Sequence, residues 1–405
     1  MTLGVGGSTI EAELGRIQSM REGAVPIGAD ELKQRIAKAQ SLMRAQGVQA
    51  LHLDSSTSTF YFTGLRFKPT ERLHGVVIPA EGDLIYISPA FEEAKLRTML
   101  QLPGDVRCWE EHESPTSLVI DVVRDLGYSK GTIAVDPATP FFTFDGLRRA
   151  GNSFDFVNGA QIISPCRMIK SKSEIALIKR AMEMTLEVHK ATARILREGV
   201  TTTEVADFVN RAHARIGADA AQTFAIVLFG EPTAYPHGVP YPQTLKTGDM
   251  VLVDIGATLH GYQSDLTRTY VFGEPNARQR EIWNVEKRAT EAVFAAAKLG
   301  APCEALDAAA RKVIAAAGLG PDYALPGLPH RTGHGVGLDV HEEPYIVRGD
   351  ATKLAPGMCF SNEPTICIYG EFGVRLEDHI YMAEDGAHWF TTPSKSVDDP
   401  FGLEA

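Results

Sequence analysis

Four acidic side chains and one imidazole in the second half of the chain have the types and settings of metal ligands. They are Asp254, Asp265, His334, Glu363 and Glu377. Several of them lie in apolar, strand-like segments, where a buried charge is costly unless it is paired or bound to a cation. Four converging carboxylates would repel one another, and divalent cations would turn that repulsion into attraction.

The spacing of the first two aspartates predicts that they meet. Asp254 ends an apolar run over 251–255, and a turn at His260-Gly261 would form a hairpin that brings Asp265 beside it. Four carboxylates with one imidazole favour Mn²⁺, although Co²⁺, Zn²⁺ or Fe²⁺ also bind such a set. Each residue alone could simply satisfy a local turn or cap, so only the joint pattern is specific.

The joint pattern resembles the pita-bread metallopeptidase family, within it the group of Xaa-Pro dipeptidase (prolidase) and aminopeptidase P. The matching motifs follow the family's order and approximate spacing, at 254–256, 264–269, 330–342, 363–364 and 373–378. The resemblance covers residues 166–405. The first half resembles the family's creatinase-type N-terminal domain, with its best local match at 60–65.

The resemblance implies a site with two divalent metal ions held by the five residues above. Asp265 and Glu377 would bridge the ions, which would activate a water molecule and polarise the scissile carbonyl. Glu363 would also accept the proton of that water and pass it to the leaving nitrogen.

Further site residues are implied by the same motifs. His237 and His341 would bind the substrate or stabilise the oxyanion. Arg375 would either form an ion pair with a carboxylate of the site or engage the substrate, since an arginine fork serves both purposes. His330 also fits the motif.

The implied function is hydrolysis of Xaa-Pro peptide bonds, with a dipeptidase (prolidase) as the first reading and aminopeptidase P acting on longer peptides as the alternative. A metal-free, creatinase-like amidinohydrolase and a non-catalytic binding module both predict lost ligands, whereas all five are present. A non-peptidase enzyme, such as a metal-dependent lyase, stays open because fold does not fix function.

The sequence departs from the family pattern after Glu363-Pro364. Thr365 and Cys367 occupy the places of the family's usual glycine and tyrosine, and Tyr369 is the nearest tyrosine. The stretch between His334 and Glu363 is also short. The candidates for binding the substrate carboxylate are Arg348, Arg66, Lys68 and Arg72.

The elements that must position these residues fall into three segments. These are an N-terminal extension (1–28), a creatinase-type α/β domain (29–164) and the catalytic domain (165–405). Apolar periodicity predicts helices over 29–46, 117–126, 174–197 with Ser173 as N-cap, 203–216, 277–299 and 304–317. Short apolar runs predict strands at 50–53, 60–65, 75–79, 84–88 and 132–135. The fold class is α+β, and the resemblance implies a C-terminal pita-bread (creatinase/aminopeptidase) fold.

Composition and net charge exclude some classes of binding partner and favour others. The net charge of −11 over 405 residues argues against a nucleic-acid surface. No apolar run is long enough to predict a membrane span. The five scattered cysteines indicate a reducing, cytoplasmic setting without disulfides. The expected partners are a short proline-containing peptide and, by resemblance, a second copy in a homodimer.

Overall fold

The structure is a computed structural model that describes residues 2–219 and 224–403. The chain forms two compact units. The larger unit consists of Met1–Pro26 together with Met168–Ala405, and the smaller unit is Ile27–Arg167. The chain therefore begins in the larger unit, builds the smaller one, and returns.

The first residues of the larger unit are held by partners far along the chain. Helix α1 (Ile10–Arg16) carries Glu13, which is fully buried. Arg194 Nε donates to Glu13 Oε2 at 2.9 Å. The backbone N–H of Leu3 donates to Asp398 O at 2.7 Å. These bonds join the two sequence segments of the unit.

The smaller unit is a mixed sheet with helices packed on it. Its elements in chain order are α2 (Ala29–Gln46), β1 (Val48–Leu53), α3 (Thr57–Thr63), β2 (Gly75–Pro79), β3 (Leu84–Pro89), a 3₁₀ turn (Ala90–Glu92), α4 (Glu93–Met99), β4 (Gly104–Trp109), α5 (Pro115–Asp125), β5 (Gly131–Val135), α6 (Phe141–Ala150), β6 (Phe154–Asn158) and α7 (Ala160–Arg167). The strand order is β4-β3-β2-β1-β5-β6. β2 pairs antiparallel with β1 and with β3, and the other neighbours are parallel.

One predicted strand of this unit is wrong. The apolar run at 60–65 lies at the end of helix α3 and just beyond it. The side chain of Ser56 caps the helix by accepting from Thr59 N, and Gly64 ends it with a φ of 73°. A short apolar run does not distinguish a buried helix from a strand, and here the two caps decide.

The larger unit combines antiparallel sheets with long helices, as predicted. Its further elements are α8 (Lys172–Arg194), α9 (Thr202–Ile216), β7 (Phe224–Phe229), a 3₁₀ turn (Glu231–Ala234), β8 (Met250–Gly256), β9 (Thr258–Leu259), β10 (Tyr262–Gln263), β11 (Leu266–Val271), α10 (Ala277–Ala296), α11 (Cys303–Ala316), β12 (Gly333–Gly335), β13 (Glu342–Ile346), β14 (Cys359–Asn362), β15 (Thr365–Ile368), β16 (Phe372–Arg375), β17 (Asp378–Ala383) and β18 (Gly386–Trp389). β11-β8-β7 and β13-β12-β14-β17-β18 are its main sheets.

Two helices of this unit begin directly after a residue whose side chain caps the helix N-terminus. Ser171, rather than the expected Ser173, caps α8: its hydroxyl accepts from Glu174 N, and the Glu174 side chain reaches back to Ser171 N. Thr201 and Glu204 form the same capping box at α9. Each box satisfies two backbone N–H groups that a helix start leaves open.

The core of the larger unit lies between helices α10 and α11 and the sheets. Trp283 on α10 is fully buried, and its Nε1 donates to Thr269 O on β11 at 2.8 Å. This bond ties the helix layer to the strand that follows Asp265. Among the described residues, no helix combines the length and the apolar character that crossing a bilayer requires.

Candidate active site

Asp254 and Asp265 are brought together by two adjacent strands. β8 carries Asp254, β11 begins directly after Asp265, and the two strands pair antiparallel with Thr267 opposite Asp254. The small hairpin β9–β10 joins them, as the turn residues predicted. Both aspartates are buried, and their carboxyl groups lie within hydrogen-bonding reach of each other.

His334 and Glu363 come from two neighbouring strands of the second main sheet. His334 lies on β12, and Glu363 directly follows β14. His334 Nε2 lies 2.8 Å from Glu363 Oε1 and 3.6 Å from Asp265 Oδ2. The hydroxyl of Ser361 donates to Glu363 Oε1 at 3.0 Å and accepts from His334 N at 2.8 Å.

Glu377 connects the two sheets. It lies between β16 and β17, and its backbone N–H donates to Thr267 O at 3.1 Å. The Thr267 hydroxyl donates to Glu377 Oε2 at 2.8 Å. One donor atom each from Glu377, Glu363 and His334 lies within 4.8 Å of the others. The structure therefore brings the five residues singled out as ligands into one cluster.

The carboxyl groups of this cluster have strongly perturbed pKa values. Burial, followed by the charges of Asp254 and Glu363, holds the pKa of Asp265 well above its usual value. Burial and then Asp265 do the same to the pKa of Glu377. Burial alone would raise the pKa of Glu363, but the adjacent His334 prevails and lowers it. Such opposed shifts in one cleft are typical of functional sites.

The cluster fits divalent cations. Asp254 Oδ1 and Glu377 Oε1 are buried and have no hydrogen-bond partner among the residues that the structure describes. Buried carboxylate oxygens normally have a partner, and a bound cation satisfies them while it reverses the mutual repulsion of the acids. Four carboxylates and an imidazole form an oxygen-rich donor set of the kind that Mn²⁺, Fe²⁺, Co²⁺ and Zn²⁺ accept.

Arg375 is fully engaged with the protein on the Asp254 side. Its Nη2 donates to Asp254 Oδ2 at 2.5 Å, its Nε to Thr267 Oγ1 at 3.1 Å, and its Nη1 to Pro236 O at 3.0 Å. The guanidinium is buried, and although burial opposes ionisation, Asp254 raises its pKa. Two roles were expected for Arg375, an ion pair with a carboxylate of the site or a contact with the substrate. These contacts correspond to the ion pair.

The remaining histidines lie around the opening of the cluster. His341 is exposed and packs against His334, with ring centroids 4.0 Å apart and ring planes tilted by 51°. Partial burial, and then His334, lower the pKa of His341 to about 4. His237 is exposed, in the loop that follows the turn Glu231–Ala234, and it lies close enough to His330 and His341 to act on their charges.

Thr365, in place of the family's glycine, donates its hydroxyl to the backbone oxygen of Glu363 at 3.4 Å, and Cys367, in place of the tyrosine, carries no hydroxyl. Cys367 is fully buried, and burial raises the pKa of its thiol to about 12, which makes it inert as a nucleophile. Thr365 is also fully buried. Tyr369 is 54% exposed and stacks on Tyr235 with ring centroids 4.9 Å apart.

The candidates for binding the substrate carboxylate have other contacts. Arg348 forms an exposed ion pair with Asp322. Arg72 pairs with Glu71 and Glu111 within the smaller unit. Arg66 lies over the ring of Phe60, at 4.3 Å from its centroid, and Lys68 is exposed. These three belong to the smaller unit, whereas the cluster belongs to the larger one.

Three residues that support the cluster were missed from the sequence. They are Thr267, Ser361 and His379, each two positions from a predicted ligand along an extended segment. Side chains two residues apart on a strand share a face, so the two-residue spacing from a predicted ligand was the sequence signal that could have identified these residues.

Comparison with known proteins identifies the family of the chain. The profile of metallopeptidase family M24 matches residues 176–384, and that of the creatinase/prolidase N-terminal domain matches residues 35–169. The Bacillus subtilis (strain 168) protein YkvY is 32% identical over 90% of this chain and 99% of its own length.

Solved structures match over nearly the whole chain. Dipeptidase PepE from Mycobacterium ulcerans superposes with a TM-score of 0.83 at 33% identity, covering 91% of this chain and 97% of its own. A prolidase from Thermococcus sibiricus gives 0.81 at 32% identity, covering 89% and 96%. The chain therefore belongs to metallopeptidase family M24, with the pita-bread fold in its catalytic unit and a creatinase-type N-terminal domain before it.

Proposed function

We propose that this metallopeptidase hydrolyses the peptide bond of Xaa-Pro dipeptides with two divalent metal ions. The observation that carries the proposal is the convergence of Asp254, Asp265, His334, Glu363 and Glu377, with two buried carboxylate oxygens left without a partner. The similarity to a prolidase and to a dipeptidase supports the choice of substrate.

The five residues would hold the ions, with Asp265 and Glu377 shared between them. Bound divalent ions supply a water of lowered pKa and polarise a carbonyl. We assign Mn²⁺ as the first candidate because oxygen donors predominate in the set. Arg375 would keep Asp254 ionised and oriented through the bond at 2.5 Å.

Glu363 is the residue placed to move the proton. Its Oε1 has hydrogen-bond contacts with Ser361 and His334, which fix its orientation. Its carboxylate would accept a proton from the attacking water and deliver it to the leaving nitrogen.

His341 and His237 would bind the substrate. Because its pKa is about 4, His341 is neutral at neutral pH and can donate one ring N–H to a carbonyl oxygen that gains charge. The leaving nitrogen of an Xaa-Pro bond carries no hydrogen, so substrate recognition must use the carbonyl groups and the ring.

The test is a Mn²⁺-supplemented assay of Ala-Pro, Ala-Pro-Ala and Ala-Ala. A prolidase cleaves Ala-Pro and leaves the other two intact. Equal cleavage of Ala-Pro-Ala would move the assignment to aminopeptidase P. Absence of proline-peptide hydrolysis by protein with both metals bound would exclude the peptide substrate.

A matched pair of variants tests the metal centre. Asp265→Asn should reduce the bound metal from two ions per chain and lower kcat at least about 100-fold, because a neutral amide is a poor bridging ligand and positioned catalytic groups contribute on this scale. Glu384→Gln, at an exposed carboxylate of the same unit, should match the wild type in both measurements.

A further inference from the structure

His379 lies on the same face as the metal-binding acids. It is on β17, two residues after Glu377, and pairs across the sheet with Ser361 on β14. Side chains two apart on an extended segment point the same way, so His379 and Glu377 share a face. Ser361, its cross-strand neighbour, donates to Glu363 Oε1 at 3.0 Å. The register therefore directs the imidazole into the cluster.

The imidazole is buried without a conventional partner. His379 is fully buried, and within residues 2–219 and 224–403 neither ring nitrogen has a hydrogen bond of normal geometry, although the backbone of Asp265 lies close by. A buried polar group in this state costs free energy and calls for an explanation. Its ring centroid lies 6.0 Å from that of His334, so the two imidazoles face the same space.

A ring nitrogen of His379 also has the spacing of a ligand. This nitrogen and one carboxylate oxygen each of Asp265 and Glu377 all lie within 4.8 Å of one another. With metal–ligand bonds of about 2.0–2.2 Å, ligands on opposite sides of one ion are separated by about 4.0–4.4 Å. A small adjustment of the side chains would bring these three donor atoms within bonding distance of a single cation.

We propose that His379 is a further metal ligand, which joins Asp265 and Glu377 around one of the divalent ions. The inference rests on the metal centre of the proposed function. It has a consequence for metal choice, since a second imidazole beside His334 makes the donor set richer in nitrogen. Nitrogen donors suit Co²⁺, Zn²⁺ and Fe²⁺ better than Mn²⁺.

Calorimetric titration of chelator-stripped protein with Co²⁺ and with Mn²⁺ tests the proposal without relying on activity. His379→Leu and His379→Gln should both weaken Co²⁺ binding by about 10-fold or more, and Mn²⁺ binding by less. The Gln variant keeps a polar head and guards against a folding defect in the Leu variant. Unchanged Co²⁺ affinity in a folded variant would overturn the proposal.

His52→Leu is the matched control. His52 is equally buried and both of its ring nitrogens lack hydrogen-bond partners in the described part of the chain, but it lies in the smaller unit. Its substitution should leave both titrations unchanged. A loss of Co²⁺ affinity equal to that of His379→Leu would mean that the effect is general destabilisation and would refute the assignment.

A crystal structure of the Co²⁺-loaded protein gives the direct readout. A ring nitrogen of His379 should lie about 2.0–2.2 Å from a cobalt ion. Cobalt held by the other five residues, with His379 more than about 3 Å away, overturns this inference and leaves the proposed function standing. If His379 binds cobalt but the protein cleaves no proline peptide, the proposed function is overturned and this inference stands. Protein that binds no divalent ion would refute both.

Discussion

Arg375 shows how one side chain can serve a metal site without touching the metal. Its three nitrogens bond Asp254, Thr267 and the backbone of Pro236. A planar fork is needed for this pattern, because lysine offers a single point charge. Neighbours that orient ligands of a metal typically contribute 10–100-fold to its affinity.

Arg375→Lys should therefore weaken Mn²⁺ binding about 10–100-fold, because Asp254 loses its fixed orientation. Saturating Mn²⁺ should restore most of the activity, with the KM for Ala-Pro unchanged. Mn²⁺-dependent activity and calorimetry measure both quantities. A raised KM that excess metal does not correct would instead assign Arg375 to substrate binding. Arg278→Lys, at an exposed arginine of the same unit, is the control.

The five candidate ligands could be singled out from sequence because each sits in a short motif, whereas the positions beside them could not. Tyr369 is near Cys367 in sequence, yet the hairpin β15–β16 turns it outward onto Tyr235. Tyr369 lies in the turn between the two strands, and the position of that turn is fixed by pairing of the strands rather than by local sequence.

At the scale of elements, helix α11 braces the segment that leads to His334. Asp307 accepts from Thr332 Oγ1 at 2.7 Å and from Arg311 Nε at 2.8 Å. Arg311 also donates to the backbone oxygen of His330 at 2.6 Å. A buried pair on one helix thus fixes the approach to strand β12.

Asp307→Asn should lower the free energy of unfolding by about 3–5 kcal/mol, because it leaves the Arg311 guanidinium buried without a counter-ion. Urea denaturation of the metal-free protein measures this loss. Glu281→Gln removes one partner of an exposed pair on α10 and should cost less than about 1 kcal/mol. Equal losses in the two variants would show that α11 does not brace the segment.

The long helices could be predicted because long apolar periodicities identify helices. The helix over Ala29–Gln46 has the expected bounds, and the other predicted helices differ from the observed ones by a few residues at their ends. The error at 60–65 has a local cause, since only the caps Ser56 and Gly64 mark that run as the end of a helix. Patterns of apolar residues carry little information about caps.

At the scale of the whole molecule, the smaller unit contains a buried group that makes stability depend on pH. His52 on β1 is fully buried, and burial lowers its pKa to about 4 against the opposing effect of Asp136. The folded protein therefore keeps His52 neutral in a range where the unfolded chain takes up a proton. Its contribution is complete above about pH 6.5 and is lost as the pH falls towards 4.

His52→Leu should remove this dependence. Between pH 7 and pH 4.5 the wild type should lose up to about 3 kcal/mol more unfolding free energy than the variant. Urea denaturation followed by circular dichroism at several pH values measures the difference. Parallel losses in both proteins would show that His52 does not titrate on unfolding.

The organisation of the chain into units was only partly readable from sequence. Composition gave no sign that the first residues join the larger unit, because their partners are remote. Glu13 bonds Arg194, and Leu3 bonds Asp398. Local sequence patterns give no information about contacts between residues that lie so far apart along the chain.

This interrupted arrangement has a consequence for synthesis of the chain. A ribosome releases the chain from its first residue onward. The segment before Pro26 therefore emerges long before the residues that hold it, whereas Ile27–Arg167 contains all of its own strands. We expect the smaller unit to complete its core while translation continues, with Glu13 lacking Arg194 until helix α8 emerges and Leu3 lacking Asp398 until the end of the chain emerges.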